Sequence, residues 1–458
     1  MRPVKCLFTV PMQRPTGDAL GQAQSYPWVN DNGLAMIGAA AKAAGSETTI
    51  WSWDRNYSGE DVARYLRETK PDVVGIKTFT THFQWVLDTL KVIRADAPDA
   101  RILLGGPHAT TSAPDDLFDE FPGLFDFVIA GDGELAVSRL IALIKNGDSL
   151  ESDETLKTIP GLVYKSKNGV VKIPNSYDVA FADLPRVDWT AQPPSAFQDL
   201  KNEFNGHSVF YEDSRGCPCE CAHCNAGTMN GSRPRHKGIE QVCAEIEELV
   251  AVYNVNYIIF SGNAFLADLR RTEELCEWFI KKRLGVRWSC TGAAYVRRIE
   301  DRELVRTMKR AGCNKIIFGI ESGDDNVRER LNYPSSIGEI GNIVNAIHQN
   351  GIITDAYFML GLPGETVREM RATLACAARL SLDRISFCIH LPLPGTRGYF
   401  DVLKKHGLKR IDWSGYDFSN PPMLASVATV AEVKRSLLMG RVIERSGMAR
   451  GLVRFVAG

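Results

Sequence analysis

Nowhere in the 458 residues is there an apolar run of about 18, the length a membrane-spanning helix needs. The amino-terminal MRPVKCLFTVPMQ has early basic residues, but its apolar run is too short for a signal peptide. Neither sign of charge prevails. Lys and Arg number 54 against 55 Asp and Glu, a formal net charge of −1, which excludes the basic footprint of a nucleic-acid binder. Internal repeats and low-complexity tracts are absent. Cysteines number 11, an odd count, and seven of them stand alone. A disulfide scaffold is therefore not expected, and a reducing cytoplasm is. At about 150 residues per domain, the length predicts two or three domains.

What is present alternates. KCLFTV (5–10), TTIWSW (48–53), DVVGIKTF (72–79), ARILLGG (100–106) and DFVIAGDGE (126–134) read as strands. Between and after them, 33–45, 58–69, 83–96 and 135–147 have helical spacing and stop signals. Strands separated by helices imply parallel βαβ units, here a doubly wound, Rossmann-like sheet over residues 1–150. Ligands bind such sheets at the carboxyl ends of strands. Those ends carry Thr78, Phe79, Thr80, Thr81 and His82, then Gly105, Gly106 and His108, then Gly131, Asp132, Gly133 and Glu134.

Residues 151–205 read as a hairpin turning at Asn168-Gly169 and a proline-rich linker. Alternation resumes over 206–400. Strands are expected at 208–214, 257–262, 287–292, 315–322, 354–360 and 384–390, with helices such as 238–253 and 367–380 between them. Six β-α units make a partial (β/α)6 barrel. Residues 401–458 read as a small cap or tail, where Trp413, Tyr416 and Phe418 could line a pocket but are more simply packing.

SRGCPCECAHCNAG (214–227) places Cys217, Cys219, Cys221 and Cys224 in eight positions. Thiolates suit zinc or an iron–sulfur cluster. Structural zinc wants four ligands, usually two separated pairs, and no second C-x-x-C follows. His236 could complete a zinc site with three of the thiols, so spacing alone leaves zinc open. Three cysteines in one loop after a strand would bind three irons of a 4Fe–4S cluster and leave the fourth iron open.

C-x3-C-x2-C directly after the first barrel strand, preceded by SRGCP, resembles the radical S-adenosylmethionine (SAM) superfamily. The resemblance makes Cys217, Cys221 and Cys224 the cluster ligands and Cys219 a bystander. It places His223 where the family has an aromatic residue near the SAM adenine. FGIESG (318–323) resembles the fourth-strand motif, with Glu321 meeting SAM. FMLGLPGET (358–366) resembles the fifth, with Gly361 letting SAM approach the backbone. LPLPGT (391–396), opening on Leu391, resembles the segment after the sixth strand in one branch of the family. After the second strand the family usually has acidic residues; here Ser261, Gly262 and Asn263 stand instead, so backbone carbonyls would do that work.

A doubly wound domain ahead of such a barrel resembles the cobalamin-binding branch of the superfamily. The resemblance covers about residues 1–400 and rests on GLAMIGAAAKAAG, VVGIKTFTTHF, LLGGPHATTSAPDDL and FVIAGDGE. It implies that Gly105, Gly106 and Gly131 let the nucleotide tail of cobalamin pass, and that Thr78 to His82 lie near the lower corrin face. The Asp-x-His-x-x-Gly context of histidine-ligated cobalt is missing from all eight histidines. Cobalt without a protein histidine ligand is therefore expected, with His82 and His108 the alternatives.

The activity so implied is methyl transfer. One SAM methylates the corrin, and another yields an adenosyl radical that abstracts hydrogen from an unactivated carbon, or more rarely activates phosphorus. The substrate radical then takes the methyl group. Ring formation or rearrangement without methyl transfer is the second reading, and a non-catalytic corrinoid- or zinc-binding module the third. No acid or base is assigned, although Glu365, Asp355 and Tyr357 are expected near the barrel mouth. A small-molecule substrate such as a natural-product intermediate, an external electron donor such as flavodoxin or ferredoxin, a monomeric state, and no nucleic-acid or membrane partner complete the expectation.

Overall fold

The computed structural model describes residues 2–11, 31–51, 59–150, 152–175, 177, 179–191, 207–263, 265–291, 302–413 and 425–457. Its contacts divide the chain into two compact units. The first comprises Met1–Ala196 with Thr228–Gly231 and Asp412–Tyr416; the second comprises the remainder.

The first unit holds strands β1 (Val4–Thr9), β2 (Ser46–Trp51), β3 (Val73–Lys77), β4 (Arg101–Gly105), β5 (Phe127–Ile129), β6 (Leu162–Ser166) and β7 (Gly169–Lys172). Their order in the sheet is β2-β1-β3-β4-β5-β6-β7, and β1 to β5 are parallel. The order reverses at β1, so right-handed crossovers put the helix after β1 on one face and the helices after β2 and β3 on the other. Helices Asn32–Ala43 and Glu134–Asn146 accordingly pack together, as do Gly59–Thr69 and Phe83–Asp96. β3 and β4 are apolar and buried except at Lys77 and Arg101 on their ends and half-buried Gly105, as a sheet covered on both faces requires. β6 pairs antiparallel with β5 and β7 with β6, so the expected hairpin extends this sheet. β5 is shorter than expected because Gly131, at φ 77°, turns the chain out of the strand.

The second unit holds β8 (His207–Tyr211), β9 (Ser214–Arg215), β10 (Arg235–His236), β11 (Val255–Phe260), β12 (Arg287–Thr291), β13 (Cys313–Glu321), β14 (Ile353–Leu360) and β15 (Arg384–Ile389). Six of these form one parallel sheet in simple sequential order, β8-β11-β12-β13-β14-β15. Sequential order with right-handed crossovers keeps every helix on one face, and the sheet curls into a partial barrel. Burial follows the alternation. In β15, Ile385, Phe387 and Ile389 are buried, while Arg384, Ser386 and Cys388 are half-buried and face the other way. On the helix side, Trp288 packs among Phe260, Phe265 and Phe279.

The carboxyl-terminal region is more than a loose tail. The long helix Val430–Ala457 packs on β15 and on helix Val367–Arg379. β15 ends the sheet, and the Phe387 amide donates to Glu444 Oε1 at 2.5 Å. A side chain thus takes the place of the missing neighbouring strand. Trp413 belongs to the first unit, where it is buried edge-on to His108 with ring centroids 5.4 Å apart, which is packing. Tyr416 and Phe418 lie outside the described residues.

Candidate active site

The four cysteines hang on one loop, and that loop has a neck. β9 and β10 pair antiparallel, Arg235 opposite Arg215 and His236 opposite Ser214, enclosing residues 216–234. Buried charge fixes the neck. The Arg271 guanidinium donates to Asp213 Oδ2 at 2.8 Å, and the Lys237 ammonium donates to Glu245 Oε2, also at 2.8 Å. Tyr211 donates its hydroxyl to the same Glu245 oxygen at 2.6 Å. Burial pushes the Asp213 carboxyl up despite Arg271 beside it.

At its tip the loop is pinned to the turn after helix Asp325–Arg330. Ala222 N–H donates to Leu331 O at 2.9 Å, and Ala222 sits in an apolar cluster with Val327, Leu331 and Leu362. Cys224 N–H closes a turn onto Cys221 O at 3.1 Å. No cysteine is in a disulfide. Burial pushes the Cys221 thiol up to about 12, and the neighbouring thiols add to the shift; burial raises Cys224 likewise. Gathered thiols that resist ionisation are relieved when a cation binds and displaces their protons. Among the described residues, no three His, Cys, Asp or Glu side chains converge on one ion-sized point.

Glu321 ends β13 in a left-handed conformation, φ 65°, at a register shift in the β13–β14 ladder. That is a strained position for a residue with a Cβ. Gly319 makes room for its carboxylate: a Cβ there would lie 2.4 Å from Glu321 Oε1. Burial pushes the Glu321 carboxyl up to about 7, against the pull of Arg328. His223 Nε2 lies 3.8 Å from Glu321 Oε1, and burial lowers the His223 ring to about 4. Behind them, Arg328 is buried, donates to the carbonyls of Ile320, Ser322 and Ser335, and lies 4.3 Å over the Tyr333 ring. Tyr333 in turn lies nearly parallel to His223, 6.4 Å between centroids, and donates its hydroxyl to Gly319 O.

The next strand ends similarly. Gly361 has φ 82°, and Glu365 Oε2 accepts from the Gly361 and Leu362 amides at 2.7 and 3.0 Å. Glu365 is fully buried, its Oε1 has no partner, and burial pushes it up to about 8. Leu391 is buried just past β15. Ser261 lies exposed after β11, with half-buried Asn263. Gly262 is required by the chain itself, since a Cβ there would meet Ser214 Oγ at 2.2 Å and Asp213 Oδ1 at 2.4 Å. Asp355 and Tyr357 are corrected in place. Asp355 is only the third residue of β14, five residues below Leu360 and so about 16 Å from the mouth at the usual strand rise. There it faces Lys315 at 3.8 Å. Tyr357 lies midway along β14, and only Glu365 of the three is at the mouth.

In the first unit, the carboxyl ends of β3, β4 and β5 share one edge. Thr78 is buried, donates to Gly105 O at 2.8 Å and accepts from Ala109 N–H at 3.0 Å. Thr80, Thr81 and His82 form a single helical turn, and the His82 ring stacks on Trp85 at 5.2 Å with Phe79 edge-on at 5.7 Å. Burial lowers His82 to about 4. His108 is enclosed: its Nδ1 lies 3.0 Å from Thr80 Oγ1, Phe83 covers its ring at 4.0 Å, and burial lowers it to about 3. The glycines here answer to the chain's own packing. A Cβ at Gly131 would lie 1.9 Å from Asn175 Nδ2, one at Gly106 2.8 Å from Lys77 Cγ, and one at Gly133 2.8 Å from Ile37 Cδ1. Gly105 alone of the four has room, with nothing nearer than 3.7 Å. Glu134 is buried at the start of its helix.

The family model for the B12 binding domain matches residues 23–141, and that for the Radical SAM superfamily matches residues 211–377. An uncharacterized methyltransferase of Pyrococcus horikoshii is 25% identical over 410 residues, covering 88% of this chain and 85% of its own. The anaerobic magnesium-protoporphyrin IX monomethyl ester cyclase of Rubrivivax gelatinosus is 24% identical over 426 residues, 92% of this chain and 73% of its own. Among solved structures, the radical SAM methyltransferase TsrM of Kitasatospora setae, solved with cobalamin and a 4Fe–4S cluster, superposes with a TM-score of 0.69 at 17% identity. It covers 95% of this chain and 85% of that one, a likeness of fold. The two family models fall in order on the doubly wound sheet and on the partial barrel.

The chain belongs to the cobalamin-dependent branch of the radical SAM superfamily. It is a radical SAM enzyme whose cofactors are a 4Fe–4S cluster, SAM and cobalamin. Among the described residues no helix is long and apolar enough to cross a membrane. Three residues at the radical SAM rim escaped the sequence motifs: Arg328, Tyr333 and His390. Only His390 left a usable signal, as the next inward position after 384, 386 and 388.

Proposed function

We propose that this enzyme transfers a methyl group from the corrin to an unactivated carbon of a small-molecule substrate. The cofactors supply the methyl group and a 5′-deoxyadenosyl radical that activates the acceptor. Cys217, Cys221 and Cys224 hold the cluster in this reading, and Cys219 is spare. Glu321 and His223 face the bound SAM, and Gly361 and Leu391 offer backbone. Support comes from an intact three-thiol loop behind a rigid neck, in one chain with a B12 binding domain. The donor set also fits. Glu321 Oε2 and His223 Nδ1 are buried without a partner, and such atoms are satisfied by a polar ligand or water.

At the first sheet's edge, Phe79, His82 and Trp85 form an aromatic shelf that suits the lower face of a macrocycle. His108 is walled in by Phe83 and Trp413, which agrees with cobalt lacking a histidine ligand. Ring closure without methyl transfer is the second reading, favoured by alignment to the cyclase over 92% of this chain.

The test is anaerobic. The protein is reconstituted with iron and sulfide, loaded with hydroxocobalamin and desalted, then given reductant, methyl-labelled SAM and candidate substrates. Stoichiometric retained corrinoid beside a cluster spectrum, with S-adenosylhomocysteine, 5′-deoxyadenosine and label in a product, is the expected result. 5′-Deoxyadenosine and product without label or S-adenosylhomocysteine would establish the second reading. A cluster with no retained corrinoid would overturn methyl transfer.

A further inference from the structure

Helix Arg397–His406 is anchored at its first turn to the cysteine loop. Its Gly398 amide donates to Ala222 O at 3.0 Å, and Ala222 lies between Cys221 and Cys224. Arg397 donates to Arg330 O, beside Leu331, whose carbonyl takes the Ala222 amide. The helix buries Gly398, Tyr399 and Val402. Its other face carries Phe400 at 58% exposure, one turn from Arg397 and from Lys404. Lys405 reaches Ser426 O at 2.6 Å, which brings up a second exposed apolar side chain, Val427. Charge on this surface is one-sided. From 397 to 410 the exposed residues include Arg397, Lys404, Lys405, Lys409 and Arg410, against Asp401 as the one acid. The whole chain is balanced, with a net charge of −1. Lys404 and Lys405, in the last turn, answer the helix dipole. Lys409 and Arg410 lie past the Gly407 cap, where that account ends. Nor does it explain a phenylalanine held in water between cations. An exposed aromatic anchor beside charge of one sign is the make-up of a protein-docking surface.

We propose that this face docks an acidic one-electron carrier protein that feeds the cluster. This rests on the reading that Cys217, Cys221 and Cys224 hold the cluster. Opening a carbon–sulfur bond of SAM to give methionine and a 5′-deoxyadenosyl radical consumes one electron. A sulfonium has none to give, so the electron enters from a reduced partner. The carrier loses one electron to the cluster, and no bond or proton moves in that step. Position decides the class of partner. These cations would hold any polyanion, but neither a nucleic acid nor a lipid surface has an electron to deliver beside the cysteine loop.

The measurement is binding of two acidic carriers, a flavodoxin and a ferredoxin, to the cluster-reconstituted, full-length protein by anaerobic titration calorimetry. At least one should bind, with affinity falling as salt rises. Lys404→Glu combined with Lys409→Glu should weaken that binding about tenfold, and Phe400→Ser should weaken it about as much with the salt dependence kept. Both variants should keep the wild-type melt and cluster spectrum. Dithionite, which needs no docking, should drive 5′-deoxyadenosine formation in them at the wild-type rate, while carrier-driven formation falls. Binding of neither carrier to wild type would overturn the proposal, as would an affinity that both variants leave unchanged. Equal loss of dithionite-driven and carrier-driven cleavage would overturn it too, by making these side chains structural. Duplex DNA or phosphatidylglycerol vesicles bound through the same residues, with no carrier bound, would assign the face to another partner. Wild-type protein that assembles no cluster would overturn the reading beneath the proposal and the proposal with it, and iron and sulfide content shows which of the two has failed.

Discussion

Both sheets present their carboxyl edge as a ligand-facing rim, but they finish it differently. In the doubly wound unit, polar groups at the edge are largely answered from within, with His108 Nε2 a buried exception. Thr78 bridges Gly105 and Ala109, Thr110 takes the Gly131 amide at 3.0 Å, and Asn175 fills the space beside Gly131. In the barrel, the ends of β13, β14 and β15 keep buried acids and imidazoles with atoms unpaired: Glu321 Oε2, Glu365 Oε1 and both His390 nitrogens. A large, mostly apolar macrocycle with its own amides asks for shape and a shelf. A compact, highly polar ligand asks for aimed donors and acceptors. The difference between the rims matches the difference between cobalamin and SAM, and it can be attacked by mutation.

The largest effect is expected at the cysteine loop. Replacing Cys217, Cys221 or Cys224 singly with Ser should abolish cluster absorbance and reductive SAM cleavage, while corrinoid retention in the other unit persists. Cys219→Ser should leave both intact. Iron and sulfide analysis with the visible spectrum checks this, and equal loss at Cys219 would redraw the ligand set.

Next comes the contrast between a buried and a half-exposed ion pair. Asp213–Arg271 lies under the neck of the loop with 0% and 7% side-chain exposure, whereas Lys42–Asp188 in the first unit has 38% and 23%. Removing one partner of a buried pair leaves a charge stranded, at a cost of about 3–5 kcal/mol. Loss of the other is worth about 0–1 kcal/mol. Asp213→Ala should therefore destabilise the barrel strongly and hinder cluster assembly, while Lys42→Met should hardly change the melt. Denaturation followed separately by cluster absorbance and by far-UV signal resolves the two.

How much of this the sequence discloses follows from how local the cause is. β-α alternation, the thiol spacing and the Gly-Pro turns after strands are local, and they read directly. The edge role of β6 and β7 is not local, because nothing in the hairpin says which strand it will join. Helix Val430–Ala457 was hidden for the same reason, since its value lies in Glu444 meeting the unpaired amide of Phe387. The glycines have a second cause that the sequence does not disclose. Gly106 and Gly131 are expected to give clearance for a ligand, and within the chain Lys77 and Asn175 from distant segments also take the space a Cβ would need there. Arg328 and Tyr333 belong to no motif, because their work is holding the turn after β13 from behind.

The smallest effect separates the rims by pH. His108 in the first unit is depressed to about 3, so its unfolded form gains a proton first as pH falls below about 6.5, and stability drops on the acid side. His390 gives the barrel the same acid limb. The barrel rim has an alkaline limb in addition. Glu365, pushed up to about 8 by burial, keeps its proton in the folded state while the unfolded carboxyl, near 4.5, has lost its own. Between those values the folded state binds more protons, so stability falls as pH rises, by up to about 1.4 kcal/mol per unit, and levels off above about 8. Glu365→Gln carries no titrating group yet can still accept from the Gly361 and Leu362 amides through its amide oxygen. The expected outcome is a variant whose stability advantage over wild type grows from pH 6 to pH 8, read by urea denaturation of the SAM-free protein. Parallel pH profiles would mean that Glu365 is ionised in the fold, and that the unpaired Oε1 is met by water rather than kept protonated.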